Sequence, residues 1–123
     1  MSPRHRVLLI DDDTGVTRLL SLGLEETGQF EVHTAHSGQE GLRQVRAFAP
    51  EIVVLDMIMP DMRGSQVLAG IRADPALGST PVIFLTAVAP DGDAPSLHGC
   101  ECLAKPVTAD QVARAIGRAL ARN

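Results

Sequence analysis

The sequence predicts an α/β fold, a doubly wound parallel sheet of five strands with helices packed on both faces. Apolar runs of strand length alternate with amphipathic segments of helix length along the chain, so that a β-α pattern occurs five times. Three of these runs are almost entirely apolar, as strands buried on both faces of a parallel sheet must be. Right-handed crossovers between such strands place helices on both faces.

The first strand and helix are marked by a change of periodicity. Val7–Ile10 is wholly apolar and stops at Asp11. A helix is predicted from about Val16 to Thr27, because apolar and small residues then recur at helical spacing, and Gly28 is a natural C-terminal stop. The stripe expected to face the core consists of Val16, Leu19, Leu20, Gly23 and Leu24.

A second strand and helix follow, and then a second buried strand. Residues 30–35 alternate between apolar and polar side chains, which indicates a strand. Ser37 and Glu40 have the spacing of a capping box and predict a helix that runs to about Phe48. Residues 51–55 then form the next strand of the buried type.

The C-terminal half completes the pattern. A helix is predicted over about Ser65–Ala73, and residues 82–85 are the third apolar strand. A short strand is expected near Glu101–Leu103. The last helix begins at a second capping box, formed by Thr108 and Gln111.

Length and composition favour one domain and exclude several functions. The chain has 123 residues, which suits a single domain covering 1–123. Its formal charge is -4, with 11 Lys and Arg against 15 Asp and Glu, so no basic surface predicts direct nucleic-acid binding. No apolar run approaches the roughly 20 residues of a membrane span, and a cytoplasmic location is expected. The two cysteines, Cys100 and Cys102, are too few for a disulfide framework or a complete zinc site.

Polar residues follow the predicted strands at their carboxyl ends. They are Asp11 and Asp12 after the first strand, Asp56 after the third, Thr86 after the fourth and Lys105 after the fifth. Ligands of open α/β sheets bind at this edge. Three carboxylates placed together repel unless a hard cation such as Mg²⁺ lies among them. A nucleophile, a divalent cation, an ammonium and a hydroxyl are what phosphoryl transfer requires.

Four ordered segments carry a resemblance to a known family. They are residues 7–12, 53–64, 82–87 and 103–106, which read VLLIDD, VVLDMIMPDMRG, VIFLTA and LAKP. Over essentially its whole length the sequence resembles the receiver domain of bacterial two-component response regulators, which have a CheY-like fold. The resemblance implies a flavodoxin-like sheet with strand order 2-1-3-4-5.

The resemblance also implies the chemistry of the site. Asp56 would accept a phosphoryl group from a phosphohistidine of a sensor histidine kinase or a histidine phosphotransfer protein. Asp12 would ligate Mg²⁺ or Mn²⁺ directly, and Asp11 mainly through water. Asp56 itself and the backbone carbonyl of Ile58 would be further ligands. Such a domain catalyses only its own phosphorylation and dephosphorylation.

Three other residues receive roles from the same resemblance. Thr86 would hydrogen-bond the phosphoryl group, Ala87 would leave room for it, and Lys105 would pair with its charge. The bond between Lys105 and Pro106 is expected to be cis. Phosphorylation would switch the binding of a downstream protein or of an output domain outside this chain, and a homodimer is a further expectation.

The sequence departs from the family at the predicted switch. Cys102 occupies the position where relatives carry a switch aromatic residue, so together with Thr86 it is expected to leave an open notch for a partner. Pro90, Gly92 and Pro95 lie in the segment from Val88 to Gly99 and predict a short or absent fourth helix. This change would alter the usual output face.

Two alternatives remain open from the residues alone. Asp11, Asp12 and Asp13 after an apolar strand superficially match the Asp-x-Asp signature of haloacid-dehalogenase-like phosphatases, with Asp11 as nucleophile and Asp13 as acid-base residue. The other alternative is a receiver-like docking module that is never phosphorylated.

Overall fold

A computed structural model of the chain describes residues 4–87, 96–97 and 99–122. The elements in chain order are β1 (His5–Ile10), α1 (Thr14–Glu26), β2 (Phe30–Ala35), α2 (Gly38–Phe48), β3 (Ile52–Asp56), α3 (Gly64–Ala73), β4 (Val82–Thr86), β5 (Ser96–Leu97), β6 (Cys100–Ala104) and α4 (Ala109–Ala121). Each predicted strand is present, and each predicted helix up to residue 73 and after residue 108 lies where its pattern placed it.

The sheet confirms the predicted topology. Five parallel strands lie in the order β2-β1-β3-β4-β6, which is the expected 2-1-3-4-5 order. The register pairs Ile10 with both Ala35 and Leu55, and Leu55 with Phe84. Because the strands are parallel and in this register, the residues that follow β1, β3 and β4 emerge side by side at one edge of the sheet.

A sixth strand, which the sequence did not predict, extends the sheet beyond β6. The two residues of β5 pair antiparallel with β6, Ser96 with Glu101 and Leu97 with Cys100. The prediction of a short or absent fourth helix falls mainly on residues 88–95 and 98, which lie outside the described residues. Within the segment from Val88 to Gly99, the described part contains a strand and a turn.

Two apolar layers enclose the sheet. One side packs against α2 and α3 and includes Leu8, Ile10, Leu55, Phe84 and Cys100. The other packs against α1 and α4 and includes Leu9, Leu24, Val54, Ile83 and Ile116. Alternate residues of β1, β3 and β4 thus face opposite layers, which explains why these strands had to be apolar throughout.

The predicted stripe of α1 is correct except at Leu19. Leu20 and Leu24 are buried, and Gly23 lies so close to α4 that a Cβ there would stand 2.4 Å from the Cβ of Ala109. Leu19, in contrast, is 72% exposed. Thr17 is buried in its place, with its hydroxyl bonded to the carbonyl of Thr14 and to Nε2 of His36.

The helix starts follow the predicted caps with one difference. Thr108 and Gln111 form the complete capping box of α4. Ser37 accepts the Glu40 N–H at 3.1 Å, but the Glu40 carboxylate takes the N–H of His36 instead of closing the box. None of the helices in the described ranges has the length and apolar character needed to cross a bilayer.

Candidate metal and phosphoacceptor site

Three carboxylates meet at the carboxyl edge of the sheet. Asp11 and Asp12 follow β1, and Asp56 is the last residue of the neighbouring β3. One oxygen from each of the three lies within 4.8 Å of the others. Asp11 and Asp56 are only 1% and 6% exposed, whereas Asp12 is open to solvent. The predicted acidic cluster is therefore assembled, with two of its members largely removed from water.

Lys105 supplies positive charge to this cluster. Its Nζ lies 2.7 Å from Oδ2 of Asp11 and 3.5 Å from Oδ1 of Asp56, and its side chain is 20% exposed. The N–H of Lys105 donates to the carbonyl of Thr86 at 2.8 Å, and the following bond to Pro106 is cis as expected. Burial opposes the ammonium charge, but the bonds and charges of Asp11 and Asp56 outweigh it and raise the pKa of Lys105.

Asp56 is poised between ionised and neutral forms. Burial and the nearby charge of Asp11 raise the pKa of Asp56 to about 6, although Lys105 and the N–H of Ile58 act in the opposite direction. Part of the population of a metal-free protein therefore keeps a proton here just below neutral pH. Anything that adds positive charge to the cluster will favour the carboxylate.

The raised pKa of Asp56 makes a prediction about stability. The pKa of Asp56 is 3.8 in its ordinary state and about 6 in the folded protein, so proton binding at Asp56 stabilises the fold. This stabilisation is complete below about pH 4 and is lost as the pH rises through 6. We expect Asp56→Asn to raise the unfolding free energy of the metal-free protein by about 1–2 kcal/mol near pH 7.5 and not near pH 4. Thermal unfolding in EDTA at the two pH values measures it, and an equal difference at both would contradict it.

The donor set fits a hard cation. Oδ2 of Asp11 is buried, and within the described residues its charge partner is Nζ of Lys105 at 2.7 Å, which also faces Asp56 at 3.5 Å. One ammonium cannot neutralise three carboxylates that lie together, and a cation would compensate the remaining negative charge. The three carboxylates provide the oxygen ligands that Mg²⁺ prefers.

The loop after β3 places Ile58 beside the cluster. The Gly64 N–H donates to the Met57 carbonyl at 2.7 Å, and Ile58 stands opposite Arg63 as an antiparallel bridge. In this type of antiparallel bridge, the residues on either side of Ile58 make the hydrogen bonds, so the Ile58 carbonyl takes no part in the bridge. The Ile58 side chain is 77% exposed. This geometry is compatible with the predicted role of the Ile58 carbonyl as a ligand.

The remaining predicted residues are Thr86 and Ala87, at the end of β4, and Cys102, in β6. Thr86 ends β4, half-buried, and exposed Ala87 follows it. Cys102 is paired with Phe84 rather than with Thr86, whose partner across the strands is Ala104. Cys102 packs against the α2 and α3 layer, and the two cysteines are not joined by a disulfide. The notch predicted beside Thr86 stays a prediction.

Asp13 has a structural role that explains its position. It is the N-cap of α1, and its Oδ1 accepts the N–H groups of Gly15 and Val16 at 3.0 and 3.2 Å. Its own N–H donates to Oδ1 of Asp11 at 2.9 Å. A carboxylate that accepts two helix amides stabilises the first turn of α1, and this structural role accounts for Asp13 without acid-base chemistry.

The sequence did not predict two features near the site. An apolar cavity of about 370 Å³ opens beside Lys105, lined by Val16, Leu19, Leu20, Ala87, Lys105, Pro106 and Val107. Leu19, which is exposed, forms part of the wall of this cavity. The second feature is Asp61, which contacts the amino end of α2 from the loop after β3. Both depend on contacts between distant segments, which periodicity does not reveal.

Comparisons with known proteins identify a family and related proteins. The response regulator receiver domain family matches residues 7–117. Response regulator Rre1 of Synechocystis sp. is 34% identical over 119 residues, which are 94% of this chain and 52% of that protein. Transcriptional regulatory protein GlrR of Escherichia coli is 41% identical over 122 residues, 96% of this chain and 26% of that protein. The chain thus spans about half of the first relative and about a quarter of the second.

Solved structures share the fold. The receiver domain of Francisella response regulator 1452 superposes with a TM-score of 0.82 at 26% identity, covering 97% of this chain and 98% of that one. Chemotaxis response regulator CheY4 of Vibrio cholerae gives a TM-score of 0.85 at 23% identity, with 95% of this chain and 99% of that chain covered. The second likeness supports the fold alone.

Proposed function

Since the chain belongs to the receiver-domain family of two-component response regulators, we propose that Asp56 is its phosphoacceptor. The observation that carries this proposal is the contact of a buried Asp56 carboxylate with Lys105 inside a cluster of three carboxylates. The donor would be a phosphohistidine of a sensor histidine kinase or a histidine phosphotransfer protein. An Asp56 oxygen would form the new bond to phosphorus as the bond from phosphorus to imidazole nitrogen breaks.

Asp11, Asp12, Asp56 and the Ile58 carbonyl would hold the cation, Mg²⁺ or Mn²⁺. When bound, the cation neutralises charge on the oxygens of the transferring phosphoryl group. The close approach of the three carboxylates and the buried Oδ2 of Asp11 support this assignment. With the cation present, the pKa of Asp56 would fall and the nucleophilic carboxylate would predominate.

Side chains around Asp56 would stabilise the phosphorylated form. The Lys105 ammonium, already 3.5 Å from Oδ1 of Asp56, would pair with a phosphoryl oxygen. The Thr86 hydroxyl would donate to another, and the small Ala87 would leave space. These groups accelerate only the domain's own phosphorylation and dephosphorylation, so the protein acts as a switch for a partner or an output domain. A cytoplasmic location remains part of the proposal.

We propose that the donor protein contacts this domain at the apolar cavity beside the site. Lys105 lines the cavity and also contacts Asp56, so a donor that presents a phosphohistidine to Asp56 would lie close to the cavity. Leu19 and Leu22 of α1 are 72% and 52% exposed and extend the apolar surface. Burying apolar side chains of this kind contributes to affinity in protein interfaces.

Mass spectrometry tests the proposal directly. Incubation with acetyl phosphate and Mg²⁺ should add about 80 Da, the mass of one phosphoryl group, and Asp56→Asn should abolish the addition. Asp13→Asn is the matched control, because Asp13 caps α1 and should leave labelling intact. Labelling that requires Asp13 and not Asp56 would favour the phosphatase alternative. No labelling at all would favour a docking module.

The acyl phosphate should be long-lived. Ile58, two residues beyond Asp56, is apolar and exposed, and cannot orient a hydrolytic water molecule. Val88, two residues beyond Thr86, is also apolar and lies outside the described residues. We expect the adduct to persist for minutes or longer after acetyl phosphate is removed. A time course of intact mass measures the lifetime of the adduct. Loss of the adduct within seconds would contradict this expectation.

A further inference from the structure

Asp61 connects the acceptor loop, defined as residues 57–63, to helix α2. Its Oδ1 accepts the N–H of Gly38 at 2.9 Å, and its Oδ2 accepts the N–H of Gln39 at 3.0 Å. These donors are 23 and 22 residues away in the sequence. Asp61 does not belong to the acidic cluster, and the phosphoacceptor chemistry leaves it without a role.

The acceptor loop is built as a short hairpin. Its arms are joined where Gly64 donates to Met57 and where Ile58 stands opposite Arg63. Ile58 thus lies in one arm, beside the carboxylate cluster, and Asp61 lies near the tip. Anchoring the tip limits the positions that the Ile58 arm can take, because the bridge couples the two arms.

A second contact fixes the tip on the same helix. Gly38, the first residue of α2, faces Met62, and a Cβ at Gly38 would stand 2.7 Å from the Cβ and Sδ of Met62. The loop therefore lies directly against the start of α2. This close approach depends on the absence of a side chain at Gly38.

Two side chains share the amino end of α2. Ser37 is the local N-cap and accepts the Glu40 N–H, while Asp61 takes the two amides before it. Those amides lower the pKa of Asp61, so the anchor is a carboxylate held by two charge-assisted hydrogen bonds. The positive end of the helix dipole favours the same charge. Only one of the two caps, Asp61, is attached to the acceptor loop.

We propose that Asp61 is a positioning residue that holds the acceptor loop so that the Ile58 carbonyl is preset for the cation. The inference rests on the proposed function, which makes that carbonyl a ligand. If the anchor is lost, binding must also order the loop, and its entropic cost opposes binding. Residues that orient metal ligands typically change affinity by about 10- to 100-fold.

The experiment compares Mg²⁺ affinity by calorimetry for the parent protein and three variants in about 0.15 M salt. Asp61→Asn keeps the size of the side chain but loses the charge and one acceptor. Ser37→Ala removes the other cap of α2 without touching the loop. Asp13→Asn removes an acidic charge next to the cluster without touching the loop. We expect about 10-fold weaker binding for Asp61→Asn and less than about 3-fold for both controls.

The other possible affinity results would contradict the positioning role of Asp61. Equal affinity of parent and Asp61→Asn, or an equal loss in Ser37→Ala or Asp13→Asn, would overturn the positioning role and leave the proposed function standing. A parent that binds no Mg²⁺ would overturn both. Hydrogen exchange of the parent provides a measurement independent of folding defects: Mg²⁺ should slow exchange at Gly38 and Gln39, with Glu40 unchanged. Unchanged exchange at all three amides would overturn the inference.

Discussion

Replacing Lys105 by methionine should slow phosphorylation of Asp56 by acetyl phosphate by about 100- to 1,000-fold at saturating Mg²⁺. Within the described part of the chain, its Nζ is the cationic group that contacts both Asp11 and Asp56. Methionine preserves most of the apolar length of the side chain and removes the charge. The phosphoryl group would then lose a preorganised partner in a largely buried site. Time courses of intact mass measure the rate.

The design separates a catalytic defect from a folding defect. Without Lys105, the carboxylates of Asp11 and Asp56, which are 1% and 6% exposed, lose the ammonium group that pairs with them. This loss should lower the unfolding free energy of the metal-free protein by about 3 kcal/mol near pH 7.5. That loss should shrink below pH 6, where Asp56 takes up a proton. Lys105→Arg keeps the charge in a different shape and should recover part of the rate. Parental rates in folded Lys105→Met would refute the assignment.

The core strands were predictable because parallel strands buried on both faces leave little choice of residue. The apolar runs at residues 7–10 and 82–85 lie within β1 and β4, which differ from them by no more than two residues at either end. The two-residue β5 was not predictable, because it has too few residues for a periodicity. Its pairing with β6 is decided by tertiary contact.

The error at Leu19 has a physical cause. An apolar residue at helical spacing was assigned to the core, yet the buried position next to Leu20 is held by polar Thr17. Burial of a hydroxyl is tolerated when it is hydrogen-bonded, and the partner here is His36 on a different segment. A sequence pattern does not show such a partner, so it assigned Leu19 inward and overlooked the cavity that Leu19 lines.

The convergence of the site residues at one edge was predictable, but the contacts between them were not. The topology of a parallel sheet brings Asp11, Asp56 and Lys105 to one edge, and this follows from their places after the strands. The sequence did not indicate that Lys105 lies closer to Asp11 than to Asp56. Nor did it identify Asp61, because its two amide partners lie on a helix more than twenty residues earlier.

Gly64 should be the most sensitive glycine near the site. A Cβ there would stand 2.6 Å from the carbonyl oxygen of Asp56, 3.0 Å from Cα of Met57 and 3.1 Å from Cε1 of Phe84. Two of these neighbours are backbone atoms, and Phe84 is fully buried. No flexible side-chain end can yield the space. Accommodating Gly64→Ala must therefore shift the loop that follows Asp56.

We expect Gly64→Ala to lower the unfolding free energy by about 1–3 kcal/mol and to slow phosphorylation, because the shift displaces Asp56 and its loop. Gly117→Ala is the matched control: among the described residues, no atom outside the neighbouring turns of its own helix lies within 4 Å of the added Cβ, and Gly117 lies inside α4. That substitution should raise the unfolding free energy by about 0.5–1 kcal/mol, because alanine favours a helix. Urea unfolding of both variants measures the pair. A stabilising Gly64→Ala would show that the loop can move freely, and the close packing that positions Asp56 would then have no mechanical importance.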